Sequence, residues 1–188
     1  MAWDRRTTAP DVSIKYYRHT GYFVDGVEGV NECIIIDQQT GFVMPNCVGY
    51  SWGRWYEALR QRPNLSRGDA QYWYGYTQDG YSRGVVPRPG AIACYSGGSI
   101  GGHVAVVEYL VGGTVAVTSN SAYNSTLFWM EGLVFNPDTG AWDRPVSGYN
   151  FQGFIYPPEG SGGAFKPWLF NQRRFPNGMQ RLLNQRRC

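Results

Sequence analysis

Histidine is scarce in this chain: there are only two, His19 and His103. The four cysteines, Cys33, Cys47, Cys94 and Cys188, never fall into a C-x-x-C pair, and with so little imidazole a zinc site of the usual kind is not expected. No apolar run approaches the ~18–20 residues that span a bilayer, so no transmembrane segment is expected. Met1 to Arg6 has no hydrophobic core of a secretory signal, and free thiols are expected rather than disulfides. The glycine loop Ser96 to Gly102 has no Gly-Lys-Ser/Thr ending, which removes a phosphate-binding P-loop. The acidic stretch Asp25 to Glu32 lacks the D-x-D-x-D-G spacing of a calcium loop and reads as a solvated turn. No metal and no cofactor is therefore expected; calcium has no support.

Acid is also missing from one end. Residues 161–188 hold Lys166, Arg173, Arg174, Arg181, Arg186 and Arg187 with no Asp or Glu, a charge of +6, while residues 1–160 sum to −3. The net +3 is thus a basic tail on a mildly acidic body, and nucleic acid is not an expected partner. With 188 residues, 43% hydrophobic and 25 glycines, one strand-rich α+β domain with one or two helices is expected. Its limits are read as residues 1–157, followed by a Pro/Gly linker at 158–163 and the basic tail at 164–188.

The most informative stretch runs from Pro45 to Trp55. Pro45 stops the preceding element, and Asn46 is a favoured N-cap. Val48, Trp52, Trp55, Tyr56 and Leu59 then recur on one face of a helix that is expected to reach about Arg62, before Pro63. Cys47 falls in its first turn, where free N–H groups and the helix dipole favour a thiolate nucleophile. The plainer alternative is a small buried apolar residue. The Cys47 N–H, with a neighbour such as Asn46, is the candidate oxyanion site.

Elsewhere short strands are expected: Ile14 to Tyr17, Cys33 to Asp37, Ala91 to Tyr95, Leu127 to Met130, Val134-Phe135 and Phe151 to Tyr156. Cys33 and Cys94 read as core residues. Asp69 to Tyr76 reads as a second short helix. Its Trp73 and Tyr74, with Tyr50, Trp52 and Tyr123, are candidates for a substrate groove, against the alternative that such rings simply fill the core.

His103 to Leu110 and Thr114 to Ser121 flank Gly112-Gly113 and predict a hairpin. A two-residue loop pairs Ala105 with Asn120 and puts His103 and Asn120 on one face as diagonal neighbours. Glu108 then lies on the other face, and a three-residue loop would bring Ser119 and Ser121 to the histidine instead. A thiolate needs an imidazole base, and the imidazole needs an acceptor on its second nitrogen. Cys47, His103 and Asn120 are the candidate catalytic set.

Pro45 to Arg54, Pro89 to Cys94, Gly102 to Glu108 and Thr118 to Ser121, with Phe151 to Tyr156 as a last strand, together resemble the CHAP domain, the cysteine, histidine-dependent amidohydrolase/peptidase of phage lysins and bacterial autolysins. The similarity covers about residues 10–157. It implies a papain-like, NlpC/P60-like α+β fold with the nucleophile's helix packed on an antiparallel sheet. It implies Cys47 as nucleophile, His103 as base and Asn120 as orienting residue, where family members often carry Glu or Asp. Some phage members bind calcium in an Asp-rich loop before the cysteine; residues 37–46 offer only Asp37. The substrate implied is an amide bond of bacterial peptidoglycan, N-acetylmuramoyl–L-alanine or a peptide cross-link. The setting implied is a phage endolysin made in the host cytoplasm without a signal peptide, or a lysin carried in the virion. The basic tail is then a contact for an anionic wall polymer, a membrane surface or a virion protein. The alternative is a CHAP-like wall-binding or structural module of a phage tail or particle whose catalysis is dispensable.

Overall fold

The computed structural model describes residues 3–11, 14–18, 34–36, 43–66, 68–98, 101–123, 126–145 and 147–159. Cys33, Asp37, His19, the stretch from Asp25 to Glu32, and the linker and tail from residue 160 onward lie outside the described residues.

A short helix α1 (Lys15–Arg18) and a small hairpin, β1 (Ile34–Ile36) with β2 (Val43–Pro45), lead into the principal helix α2 (Cys47–Leu59). The strands β3 (Arg83–Gly84), β4 (Ile92–Gly97), β5 (His103–Val111), β6 (Val115–Tyr123), β7 (Thr126–Asn136), β8 (Ala141–Asp143) and β9 (Tyr149–Ile155) form one antiparallel sheet in the order β3-β9-β4-β5-β6-β7-β8. The fold is α+β.

Helix α2 forms where the sequence allows it to start. The Asn46 side-chain oxygen accepts from the Gly49 N–H at 2.9 Å, and such a cap contributes about 1 kcal/mol. The helix ends at Leu59, short of the expected Arg62. Arg60 turns into the left-handed region (φ 61°) and its N–H closes on the Tyr56 carbonyl at 2.9 Å. Residues 48 to 55 are all buried. Trp55 is fully buried and donates its indole N–H to the Gly90 carbonyl at 2.7 Å; truncation to alanine is expected to cost about 3–5 kcal/mol.

Period-two alternation distributes the sheet residues between two cores. Ile92, Cys94, Val104, Val106 and Ile155 face α2 and join Tyr50, Trp52, Trp55 and Trp73. Ala91, Ala93, Tyr95, Val107 and Phe154 face the other way and meet Ala116, Leu133 and Trp142. That second core exists because the sheet curls. The Tyr95 hydroxyl donates to the Trp142 carbonyl at 2.7 Å, and Trp142 meets Phe154 edge-on, so β8 is brought round toward β4 and β9.

Several expectations are corrected. Tyr50, Trp52 and Trp73 do not line a groove; they are at most 4% exposed in the helix-side core. Their rings have partners there: Tyr50 stacks on Tyr17, and the Trp73 indole N–H donates to the Gly68 carbonyl. Tyr74 is half-buried and its ring lies over Gly153 of β9, which has φ +141° and no room for a side chain. The Tyr123 side chain lies outside the described residues. Residues 70–76 do not make one helix but a 3-10 turn, Ala70–Tyr72, followed by a second, Thr77–Asp79. The cause is Arg83, whose guanidinium collects the carbonyls of Trp73, Tyr74, Tyr76 and Tyr81 and the Asp79 carboxylate. Carbonyls turned toward one guanidinium are drawn out of line with a single helix axis. Ile14 to Tyr17 gives α1 rather than a strand, because what it packs on is the helix α2: Tyr17 on Tyr50 and Tyr16 on Tyr56.

Candidate active site

Strand β6 carries four consecutive polar residues, Thr118, Ser119, Asn120 and Ser121, and all are fully buried. Burial of that kind is costly unless every group is bonded. Alternation sends them to opposite faces. Ser119 and Ser121 point to the helix side, where Ser119 donates to Glu108 Oε1 at 2.7 Å and Ser121 donates to the carbonyls of Pro45 and Leu127. The Ser121–Pro45 contact ties β6 to the residue two before Cys47. Thr118 and Asn120 point to the other face, toward His103.

The polar chain on that face has a direction. The Thr118 carbonyl can only accept, so the Asn120 atom facing it is the amide nitrogen. That nitrogen donates to the Thr118 carbonyl at 3.2 Å and to Thr118 Oγ1 at 3.0 Å, and Thr118 Oγ1 donates to the Glu131 carbonyl at 3.1 Å. Asn120 Oδ1 is therefore the atom 2.9 Å from His103 Nε2. Nε2 carries the hydrogen, and Nδ1 is left with its lone pair.

The hairpin reaches this geometry by two compensating departures. The turn spans three residues, since Val111 pairs with Val115, which on its own would shift the parity. A bulge at Glu108 restores it, and Val107 pairs with Thr118 and Val106 with Ser119. Glu108 keeps the helix-side face that alternation from Val104 and Val106 gives it. There it accepts two hydrogen bonds from Arg54 at 3.0 Å each, from the Trp3 indole at 2.8 Å and from the Arg6 N–H at 2.8 Å. Arg54 in turn reaches Glu57, which also holds Arg6 and the Tyr17 hydroxyl. The residues from Trp3 to Arg6 are thus clasped to α2 and β5 through buried charge.

The start of β5 is set by Gly102. Its φ is +88°, and a Cβ there would collide with the Tyr95 carbonyl and the Gln71 backbone. Any larger residue would push His103 out of register.

Cys47 is the first residue of α2 and a free thiol. It keeps some exposure as a residue, but its sulfur is enclosed. Burial pushes the thiol up to about 11, against donation from the backbone N–H groups of Val104, Val48 and Cys47 itself and the positive charge of Arg144. The sulfur therefore lies against the residue that follows His103. His103 is 2% exposed, and its ring stacks on Trp129 at 5.8 Å and 25°. Burial lowers the imidazole to about 3, the Arg144 charge adds to this, and the Asn120 bond opposes it. At neutral pH the two groups are thiol and neutral imidazole. Asn46, the candidate oxyanion residue, has its side-chain oxygen committed to the cap. Cys94, buried in β4, is pushed well up by burial and is not positioned to react.

The structure joins His103 to Asn120 by a hydrogen bond and sets the Cys47 sulfur against the N–H of Val104, the next residue after His103. It adds Thr118, Trp129 and Arg144, which the sequence did not single out, and it turns Ser121, the alternative partner for His103, to the opposite face. Only the buried polar run Thr118 to Ser121 carried a local signal. Among the described residues no group of three or more His, Cys, Asp or Glu could hold a metal, and no helix is long and apolar enough to cross a membrane.

No curated protein matches the chain. One helix on a curled antiparallel sheet is consistent with the papain-like arrangement expected from the sequence motifs. Residues 37–121, which span Cys47, His103 and Asn120, match the family model of the CHAP domain.

Proposed function

We propose that the chain is a cysteine amidohydrolase/peptidase that hydrolyses an amide bond of bacterial peptidoglycan. The observation that carries the reading is the one-way chain from His103 Nε2 through Asn120 and Thr118 to the Glu131 carbonyl, which leaves the lone pair on Nδ1, in the residue next to Val104, whose N–H meets the Cys47 sulfur.

In this reading His103 Nδ1 takes the Cys47 proton as sulfur attacks the amide carbonyl. A neutral resting pair makes proton removal part of the attack rather than a step before it. The oxyanion is met by the first-turn N–H groups of Cys47 and Val48, each donor worth ~10²–10³ in rate. The C–N bond then breaks, and the imidazolium returns its proton to the leaving amine. Water attacks the thioester with His103 again as base, giving a carboxylic acid and the free thiol. Asn120 holds the ring in the tautomer that both half-reactions need. Asn46 supports the site by fixing the first turn. The family supports peptidoglycan as substrate, and deployment as a phage endolysin or virion-associated lysin is part of the same proposal.

The test is digestion of purified cell walls from several bacteria, with analysis of the soluble products. New amino groups without new reducing ends identify an amidase or endopeptidase, and the sequence of the new termini names the bond. New reducing ends would refute the reading. Sedimentation with walls and no release from any of them would favour the wall-binding module.

A further inference from the structure

Around His103 the structure places a closed ring of contacts. The imidazole stacks on Trp129 at 5.8 Å, and the Trp129 indole N–H donates to Glu131 Oε2 at 3.3 Å. Glu131 is gripped by Arg144, Nε at 3.2 Å and Nη2 at 3.0 Å from its carboxylate. The Arg144 guanidinium lies 4.6 Å from the centre of the Tyr149 ring, and Tyr149 meets the imidazole edge at 6.3 Å. Tyr95, the cross-strand partner of His103, covers Arg144 from the other side at 5.7 Å. The ion pair is buried, its side chains 1% and 4% exposed.

A buried ion pair is a poor device for stability alone. Its desolvation offsets most of its attraction, and apolar side chains of the same volume often do as well. Here the pair is also built into the surroundings of the imidazole: the Glu131 carboxylate is met by Arg144 and by the N–H of Trp129, whose ring stacks on His103, and the guanidinium lies near the rings of Tyr149 and Tyr95.

We propose that the Glu131–Arg144 ion pair is a positioning device for His103: with Trp129 and Tyr149 it holds the ring in place and keeps it uncharged until the thiol proton arrives. The inference rests on the reading of His103 as the base. The charged or titratable groups around the ring are Cys47 from α2, Tyr95 from β4, Glu131 from β7, Arg144 from the β8–β9 connection and Tyr149 from β9. Of these, Arg144 is the permanent cation that disfavours the imidazolium, in agreement with the downward effect of its charge on His103.

The experiment is a pH titration by NMR of histidine-labelled protein, which needs no activity. With only His19 and His103 in the chain, a His103→Gln sample assigns both signals. In wild type, His103 is expected to stay neutral to below pH 4. Arg144→Met removes the cation and leaves Glu131, and His103 is expected to titrate at least about one pH unit higher. Glu131→Gln leaves the cation and is expected to produce no upward movement. The double variant Glu131→Gln/Arg144→Met has no unpaired buried charge, which guards against loss of fold, and is expected to titrate above wild type and below Arg144→Met. Identical titrations in all four proteins, or upward shifts of equal size in both single variants, would overturn the proposal. A shifted titration with no hydrolysis by wild type would retain the ring's effect on His103 and remove the catalytic reading instead.

Discussion

The deep burial of His103 makes acid stability the sharpest quantitative consequence of the site. The imidazole is lowered from 6.5 to about 3 in the folded protein. A depressed folded value means the native state binds the proton less well than the unfolded chain. The resulting stabilisation is present above pH 6.5 and is lost as pH falls toward 3. Between pH 7 and pH 4 a shift of this size removes about 3 kcal/mol, at 1.36 kcal/mol per unit. Carboxylates also contribute to acid unfolding, so the measurement must be a difference. Urea denaturation of wild type and His103→Gln, run at half-unit steps from pH 7 to pH 4, supplies it. Gln replaces the ring with an amide that can still meet Asn120 and does not titrate. Wild type is expected to lose about 3 kcal/mol relative to the variant across that range. A gap that stays constant, or that widens in favour of wild type toward acid, would refute the reasoning. The second result would mean an imidazolium already paired with a Cys47 thiolate in the resting protein.

Three further outcomes follow from the same geometry. Site-resolved alkylation of Cys47 by iodoacetamide, read by peptide mass spectrometry, is expected to be slow at pH 7 and to rise without a plateau until about pH 11, following the raised thiol; Cys94 is expected to stay unmodified in the folded protein. Glu108→Gln leaves Arg54 buried without its anion and is expected to destabilise the fold by about 3–5 kcal/mol in chemical denaturation, with hydrolysis per folded molecule little changed. Asn46→Ala removes the cap of α2 and is expected to cost about 1 kcal/mol, together with a fall in kcat measured on soluble wall fragments, because Cys47 is the first residue of that turn.

Much of the site is local and therefore legible in sequence. Proline, asparagine and an apolar helical stripe place Cys47 at the start of a helix, and the structure puts it there. The facing of His103 and Asn120 was also readable, although for an incomplete reason. The turn has three residues where two were expected, and the bulge at Glu108 cancels the difference. No local signal announces a bulge at a buried glutamate; its cause is Arg54, which is distant in the chain. The aromatics show the opposite limit. Tyr50, Trp52 and Trp73 have the composition of a sugar-stacking groove, but a ring that binds ligand and a ring that fills a core are chemically the same. Which one each becomes depends on what packs over it. Glu131 and Arg144 were invisible because their meeting, and their approach to His103, require the sheet to curl, a property of seven strands together rather than of any one.

The central claim is that the Cys47 thiol is the nucleophile of an amide hydrolysis. The most direct measurement compares wild type with Cys47→Ala on the same purified peptidoglycan, counting amino groups released, with thermal unfolding of both to establish that the fold is kept. Release by wild type and none by a folded Cys47→Ala is the predicted result. Equal release by the two proteins would contradict the account and remove Cys47 from the chemistry.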